Sequence, residues 1–143
     1  MAAIHAAAFE GSEAWDGAAI RQLLDRPGTL AVSRRPHAFA LLQILPPDAE
    51  VLTIAVHPSA QGGGLGAALL DRLIAQARTK GCSKLYLEVA ADNAPGLALY
   101  ARAGFSETGR RRGYYTRPSG TRADALTMAL SLDAQHSSNA RAN

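Results

Sequence analysis

Apolar positions change rhythm along this chain, and the changes predict its elements. Residues 1–26 read as helical. Ala-rich Met1–Ala8 leads to Phe9, Gly11-Ser12 interrupts the pattern, and Ser12 caps a second short helix through Arg21–Leu24 that ends at Pro27-Gly28. Three short apolar runs follow: Leu30–Ser33, Ala38–Leu45 and the β-branched Val51–Val56. They are separated by Arg35-Pro36-His37 and Pro46-Pro47-Asp48, and stopped by His57-Pro58, which predicts an antiparallel meander.

The rhythm then shifts. Gln61–Gly66 is glycine-rich, and Ala67–Lys80 has a helical stripe of Leu69, Leu70, Leu73, Ile74 and Ala77, with Gly81 where a left-handed C-terminal cap belongs. Lys84–Val89 alternates: Leu85, Leu87 and Val89 share one face, Lys84, Tyr86 and Glu88 the other. A strand, a glycine loop, a helix and a second strand make the two strands parallel. Asn93 and Pro95 start another helix and Gly104 stops it. A strand begins near Phe105, Arg110–Tyr115 leads into a polar loop at 116–121, and Leu126, Met128, Leu130 and Leu132 alternate through a final strand. The expectation is an α/β fold, with a mixed, mostly antiparallel central sheet, one parallel strand pair and flanking helices. One domain covers 1–132, and 133–143 is a flexible tail.

Composition narrows the function. The chain has 143 residues, 48% of them hydrophobic and 19% charged, enough for one packed domain without a disulfide framework. A single cysteine, Cys82, fits a reducing compartment, so the expected location is the cytoplasm. No apolar run approaches the roughly 20 residues of a membrane helix. The net charge of +3 is concentrated toward the C-terminal end, where residues 101–143 hold seven Arg against three acids. Such a cluster suits an anionic ligand or a solvated face. Without aromatic interleaving and a reading helix, it argues against a nucleic-acid partner. His57 has no second ligand at metal spacing, so no metal is expected.

Four glycines crowd Gln61-Gly62-Gly63-Gly64-Leu65-Gly66, between a strand and a helix. Glycine lets a ligand approach the backbone, and the unpaired N–H groups of the helix start favour a pyrophosphate. Gly62, Gly64 and Ala67 also satisfy a G-x-G-x-x-A dinucleotide pattern, with Glu88 about 20 residues on. The antiparallel meander upstream and the lack of repeated βα units argue against a dinucleotide fold. The Walker pattern fails because no Lys-Ser/Thr pair follows the glycines.

Gln61-x-x-Gly64-x-Gly66 resembles the acyl-coenzyme A loop of the GNAT N-acetyltransferases. Leu52–Pro58, Leu87-Glu88-Val89, Asn93, Ala98-Leu99-Tyr100, Gly104-Phe105 and Arg111-Arg112-Gly113-Tyr114-Tyr115 follow in the family's order. Together they look like the ribosomal-protein-alanine N-acetyltransferase branch (RimI type). The likeness is strong over about 51–130. It implies acetyl-CoA as donor and coenzyme A as product, with transfer to a protein N-terminal α-amine, and the branch it resembles points to alanine on a ribosomal protein. A small-molecule amine acetyltransferase and a non-catalytic coenzyme A-binding module are the alternatives.

Amine acetylation needs a base for the ammonium, donors for the carbonyl oxygen and an acid for the leaving thiolate. Glu88, on the polar face of its strand near the C-terminal end, suits the base, and partial burial would raise its pKa toward a usable value. The resemblance implies the same role. It also implies Tyr100 as the acid, the alternative being a core aromatic. It implies main-chain contacts to the cofactor from Ile54, Ala55 and Val56, a cofactor loop of Gln61, Gly62, Gly63, Gly64, Leu65, Gly66 and Ala67, and a cofactor contact from Asn93, which equally suits the helix cap. Arg111, Arg112, Tyr114 and Tyr115 shape the acceptor side, the alternative for the three consecutive arginines Arg110–Arg112 being solvated charge.

Two features depart from the family. Relatives begin with a strand where this sequence opens in helix, which leaves the sheet edge and part of the acceptor groove open. The loop lacks the frequent Arg or Lys between Gln61 and Gly64, so phosphate binding would rest on backbone N–H groups. The partners expected are acetyl-CoA and an amine acceptor, with the protein a monomer or homodimer.

Overall fold

The structure, a computed structural model, describes residues 1–9 and 15–133. The chain folds as α1 (Ala2–Ala8), α2 (Gly17–Leu24), β1 (Thr29–Arg34), β2 (Ala38–Leu45), β3 (Asp48–Val56), α3 (Leu65–Thr79), β4 (Lys84–Ala90), α4 (Ala94–Ala103), β5 (Ser106–Thr116) and β6 (Arg122–Ser131). The six strands form one sheet in the order β1-β2-β3-β4-β6-β5. Every neighbouring pair is antiparallel except β3 and β4, which run parallel, as a strand–helix–strand crossover requires.

Local sequence explains most boundaries. The five apolar residues of the α3 stripe are the five that the helix buries. Gly81 and Gly104 take the left-handed conformation (φ 81° and 102°) just past α3 and α4. Asn93 caps α4 through its side chain, which accepts from Gly96 N at 3.0 Å. Two boundaries differ from the sequence pattern. Asp16 caps α2, accepting from Ala19 N at 2.8 Å, because only a residue adjacent to the first turn can reach its N–H groups. Ser12 lies outside the described residues, as does the expected tail beyond Asp133. Arg110–Tyr115 continues as strand to Thr116, held by β6.

The sheet buries both faces. One carries α3 and α4 over Ala38, Ala40, Leu42, Val51, Leu85, Leu87 and Val89. The other carries α1 and α2 over Phe39, Leu41 and Ala55. A β-bulge decides which β3 residue faces which layer. Leu42 pairs with Val51 and Leu41 with Thr53, leaving Leu52 as the extra residue. Past the bulge the alternation is inverted, so Ile54 and Val56 join the α3 layer while Ala55 joins the α1–α2 layer.

The same point opens the sheet. Pairing between β3 and β4 ends at Val51 and Leu87, although β3 continues beside β2 to Val56 and β4 beside β6 to Ala90. The two parallel strands therefore diverge, and Glu88 is the first β4 residue beyond their last pair. No described helix is long and apolar enough to cross a membrane.

Candidate active site

A cleft of about 910 Å³ passes through this divergence. One half lies toward the loop between β3 and α3. Its walls include Ile54, Val56, Gln61, Gly62, Gly64, Leu65, Gly66, Ala67 and Asn93, with Leu99 and Tyr100 from α4. Gly62 and Gly64 have φ of +84° and +83°, and a Cβ on either would meet nothing within 4 Å, so dihedral and not space selects glycine there. At Gly66 a Cβ would lie 3.5 Å from Leu99, ordinary contact between the start of α3 and α4. Gly63 has neither a positive φ nor a crowded Cβ site and does not line the cleft. Gln61 Nε2 donates to Val56 O at 3.0 Å, tying the loop to the end of β3.

This half can hold an elongated phosphate-bearing ligand. The first N–H groups of α3 have no intrahelical acceptor and face outward with the helix dipole behind them. The edge of β3 past Val51 has lost its β4 partner, so main-chain groups there are available to an amide-containing arm. Those features fit coenzyme A through backbone groups, with no Lys or Arg in the loop itself and Arg102 of α4 the cation of the facing wall.

Tyr100 stands at the inner end of this half. It is 9% exposed and packs edge-on against Phe105, with ring centroids 5.8 Å apart. Tyr100 nonetheless lines the cleft. Burial pushes its pKa up to about 12. Core anchor and proton-bearing wall are therefore the same residue.

The other half lies on the α1–α2 side. Here the cleft meets His5, Phe9 and Trp15, Thr53 from β3, Glu88 from β4, and Tyr114 and Tyr115 from β5. Glu88 is held at both carboxylate oxygens: Tyr115 Oη donates to Oε1 at 3.3 Å, and Arg111 Nε lies 3.6 Å from Oε2. Arg111 also stacks over the Tyr114 ring at 5.0 Å, and Arg117 over Tyr115 at 5.8 Å while gripping Asp92. The tyrosines meet edge to face at 5.1 Å.

Sequence pattern brought together most of these residues but not all. Ala55 is fully buried in the α1–α2 layer, its side chain turned from the cleft by the Leu52 bulge, which leaves its main chain for the contact the resemblance implies. Gly63, Arg111 and Arg112 are also outside the lining, though Arg111 reaches Glu88 from the rim. Asn93 lines the cleft and caps α4 at once.

Sequence reasoning missed the α1 wall. His5 is 1% exposed and stacked between Phe9 and Trp15, at 4.4 and 4.5 Å. The Trp15 backbone N–H donates to Nδ1 at 3.0 Å, which leaves the proton on Nε2 to donate to Thr53 Oγ1 at 3.1 Å. Burial lowers the His5 pKa to about 4, so the ring is neutral. One signal was present: a histidine with an aromatic four residues on, in an otherwise Ala-rich helix.

Comparisons with known proteins agree with this arrangement. Residues 5–105 match the Acetyltransferase (GNAT) family. The chain is 45% identical over 95 residues to the [ribosomal protein bS18]-alanine N-acetyltransferase of Escherichia coli (strain K12), covering 66% of this chain and 64% of that protein. It thus spans a little under two thirds of that relative's length. It is 40% identical over 135 residues to N-alpha-acetyltransferase RimI of Mycobacterium tuberculosis, covering 89% and 82%. The crystal structure of the ribosomal-protein-S18-alanine N-acetyltransferase from Escherichia coli superposes with a TM-score of 0.79 at 36% identity, over 92% of this chain and 86% of that one. With a splayed parallel pair, a glycine loop opening a helix, and this likeness in sequence and structure, the chain belongs to the acetyltransferase (GNAT) family.

Proposed function

We propose that the protein is an acetyl-CoA-dependent N-acetyltransferase, one domain over residues 1–132, that modifies the α-amine of a protein N-terminus. The acceptor proposed is the N-terminal alanine of a ribosomal protein. The carrying observation is the position of Glu88, a carboxylate at the throat where the two halves of one cleft meet. The names of the relatives support the choice of acceptor.

Acetyl-CoA, when bound, supplies a thioester carbonyl and a thiol leaving group. Gly62 to Ala67 hold its phosphates with main-chain N–H groups, and the free edge of β3 from Leu52 to Val56 orients its amide arm. On the acceptor side, Phe9, Trp15, Tyr114 and Tyr115 make an apolar, adaptable wall with polar tips. An α-amine with a pKa of about 8 arrives mostly as ammonium near neutrality. Glu88 removes that proton at a carboxylate oxygen, directly or through one water, which frees the nitrogen lone pair. Tyr100, which lines the cleft and carries its proton near neutrality as any tyrosine does, delivers that proton from Oη to the departing sulfur.

The assembly proposed is a monomer or a homodimer. With a ribosomal acceptor the protein works in the cytoplasm, in keeping with its single buried thiol. Mass spectrometry after incubation with acetyl-CoA tests the reading. Peptides with N-terminal alanine should gain one acetyl group, ahead of peptides offering only lysine amines and ahead of free polyamines. Modification of polyamines alone, or of nothing, overturns it.

A further inference from the structure

Successive residues of a strand point to opposite faces, yet Tyr114 and Tyr115 both line the cleft. The β5–β6 register shows how. Arg111 pairs with Ala125 and Tyr115 with Ala123, so Arg112, Gly113 and Tyr114 face a single β6 residue, Asp124. A bulge of two extra residues sits at the cleft rim.

Asp124 holds that bulge. Its Oδ1 accepts the Gly113 N–H at 2.9 Å, and its Oδ2 accepts Arg110 Nη1 at 2.8 Å. The carboxyl is held below its ordinary pKa, first by the Gly113 amide and then by Arg110. Gly113 has φ +59°, the left-handed region. A Cβ there would meet Arg122 no closer than 3.5 Å, ordinary contact, so conformation alone restricts the position. Asp124 itself does not line the cleft.

We infer that Asp124 is a positioning residue for the acceptor half: by closing the β5 bulge it turns Tyr114 into the cleft and sets Tyr115 opposite Ala123, within reach of Glu88, and through Tyr115 it fixes the Glu88 carboxylate. The inference rests on the acetyltransferase reading, and it separates the two substrates. The donor half is built on α3, β3 and α4; Asp124 reaches its α4 end through its main-chain oxygen, which accepts from Ala91 N at 2.8 Å and which a side-chain substitution leaves in place. Loosening the bulge should therefore weaken use of the acceptor and leave the donor alone.

The test compares Asp124→Ala and Asp124→Asn with the wild type in steady-state kinetics, with acetyl-CoA affinity from calorimetry. Asp124→Ala should lower acceptor kcat/KM by about tenfold or more, as displaced reacting groups do, with acetyl-CoA affinity within about twofold. Asp124→Asn keeps an oxygen for the Gly113 N–H and should recover most of the loss. If Asp124→Ala does not fold, Gly113 decides from the other side of the same bond: Gly113→Asn, which tolerates the left-handed region, should stay near wild type, and Gly113→Val should lose the acceptor. Unchanged acceptor kinetics, or equal loss toward both substrates, overturns the inference. If the wild type acetylates no amine, the acetyltransferase reading is what has failed. The bulge is then judged by hydrogen exchange, where Asp124→Ala should accelerate exchange over residues 110–116, and unchanged protection there overturns the holding role.

Discussion

The two halves of the cleft are built differently. The donor half draws on two stretches of sequence: Ile54 to Ala67 supply the strand edge, loop and helix start, and Asn93, Leu99 and Tyr100 supply the facing wall. The acceptor half gathers His5, Phe9, Trp15, Thr53, Glu88, Tyr114 and Tyr115 from four elements and a loop, with Asp124 behind them. Backbone geometry carries the first half, and side-chain networks the second. The donor half should therefore tolerate most side-chain changes that keep its dihedrals. The acceptor half should fail when one link is cut.

Glu88→Gln gives the largest effect expected. It removes the proposed base while preserving shape, and kcat should fall by about 10²–10⁴-fold with acetyl-CoA affinity unchanged by calorimetry. A variant retaining full turnover would remove the catalytic meaning of the throat. Tyr100→Phe comes next. It keeps the packing against Phe105 and loses only Oη, so kcat should drop by roughly 10²-fold without loss of thermal stability beyond about 1 kcal/mol. Loss of stability with unchanged turnover would make Tyr100 a core aromatic only.

A third comparison uses pH. His5 titrates near 4 in the folded protein and near 6.5 in the unfolded chain. Between those values the unfolded state binds the extra proton, so stability falls as pH drops from about 6.5 toward 4. Thermal unfolding at pH 7 and pH 5 should show a steeper loss in wild type than in His5→Gln, which cannot titrate there. Parallel slopes would detach His5 from acid sensitivity. The smallest effect concerns salt. With no cation in the loop, coenzyme A affinity should fall only shallowly between low and high ionic strength. Gly63→Arg should steepen that dependence, because Gly63 has ordinary dihedrals and room for a side chain. A steep salt dependence in the wild type would count against backbone-only phosphate binding.

Much of this was legible in the sequence. The strand–loop–helix–strand order, the α3 stripe, the caps at Asn93, Gly81 and Gly104, and the alternation that exposes Glu88 are all local features. Each depends on contacts within a few residues, where periodicity and glycine dihedrals speak directly. The acceptor wall was not legible. His5 and Thr53 are 48 residues apart, and Asp124 lies between two alanines, where alternation reads it as an ordinary polar strand position.

By itself the sequence determined which segments become helix or strand, where the loop's left-handed glycines fall, and that Glu88 points away from the α3 layer. Tertiary structure alone decided the faces at each bulge: Ala55 turned from the cleft, and Tyr114 turned into it beside Tyr115. The reason is physical. The period of two is a property of one strand, whereas a bulge is fixed by the partner strand and the groups that close it, Leu41–Leu42 opposite β3 and Asp124 opposite β5.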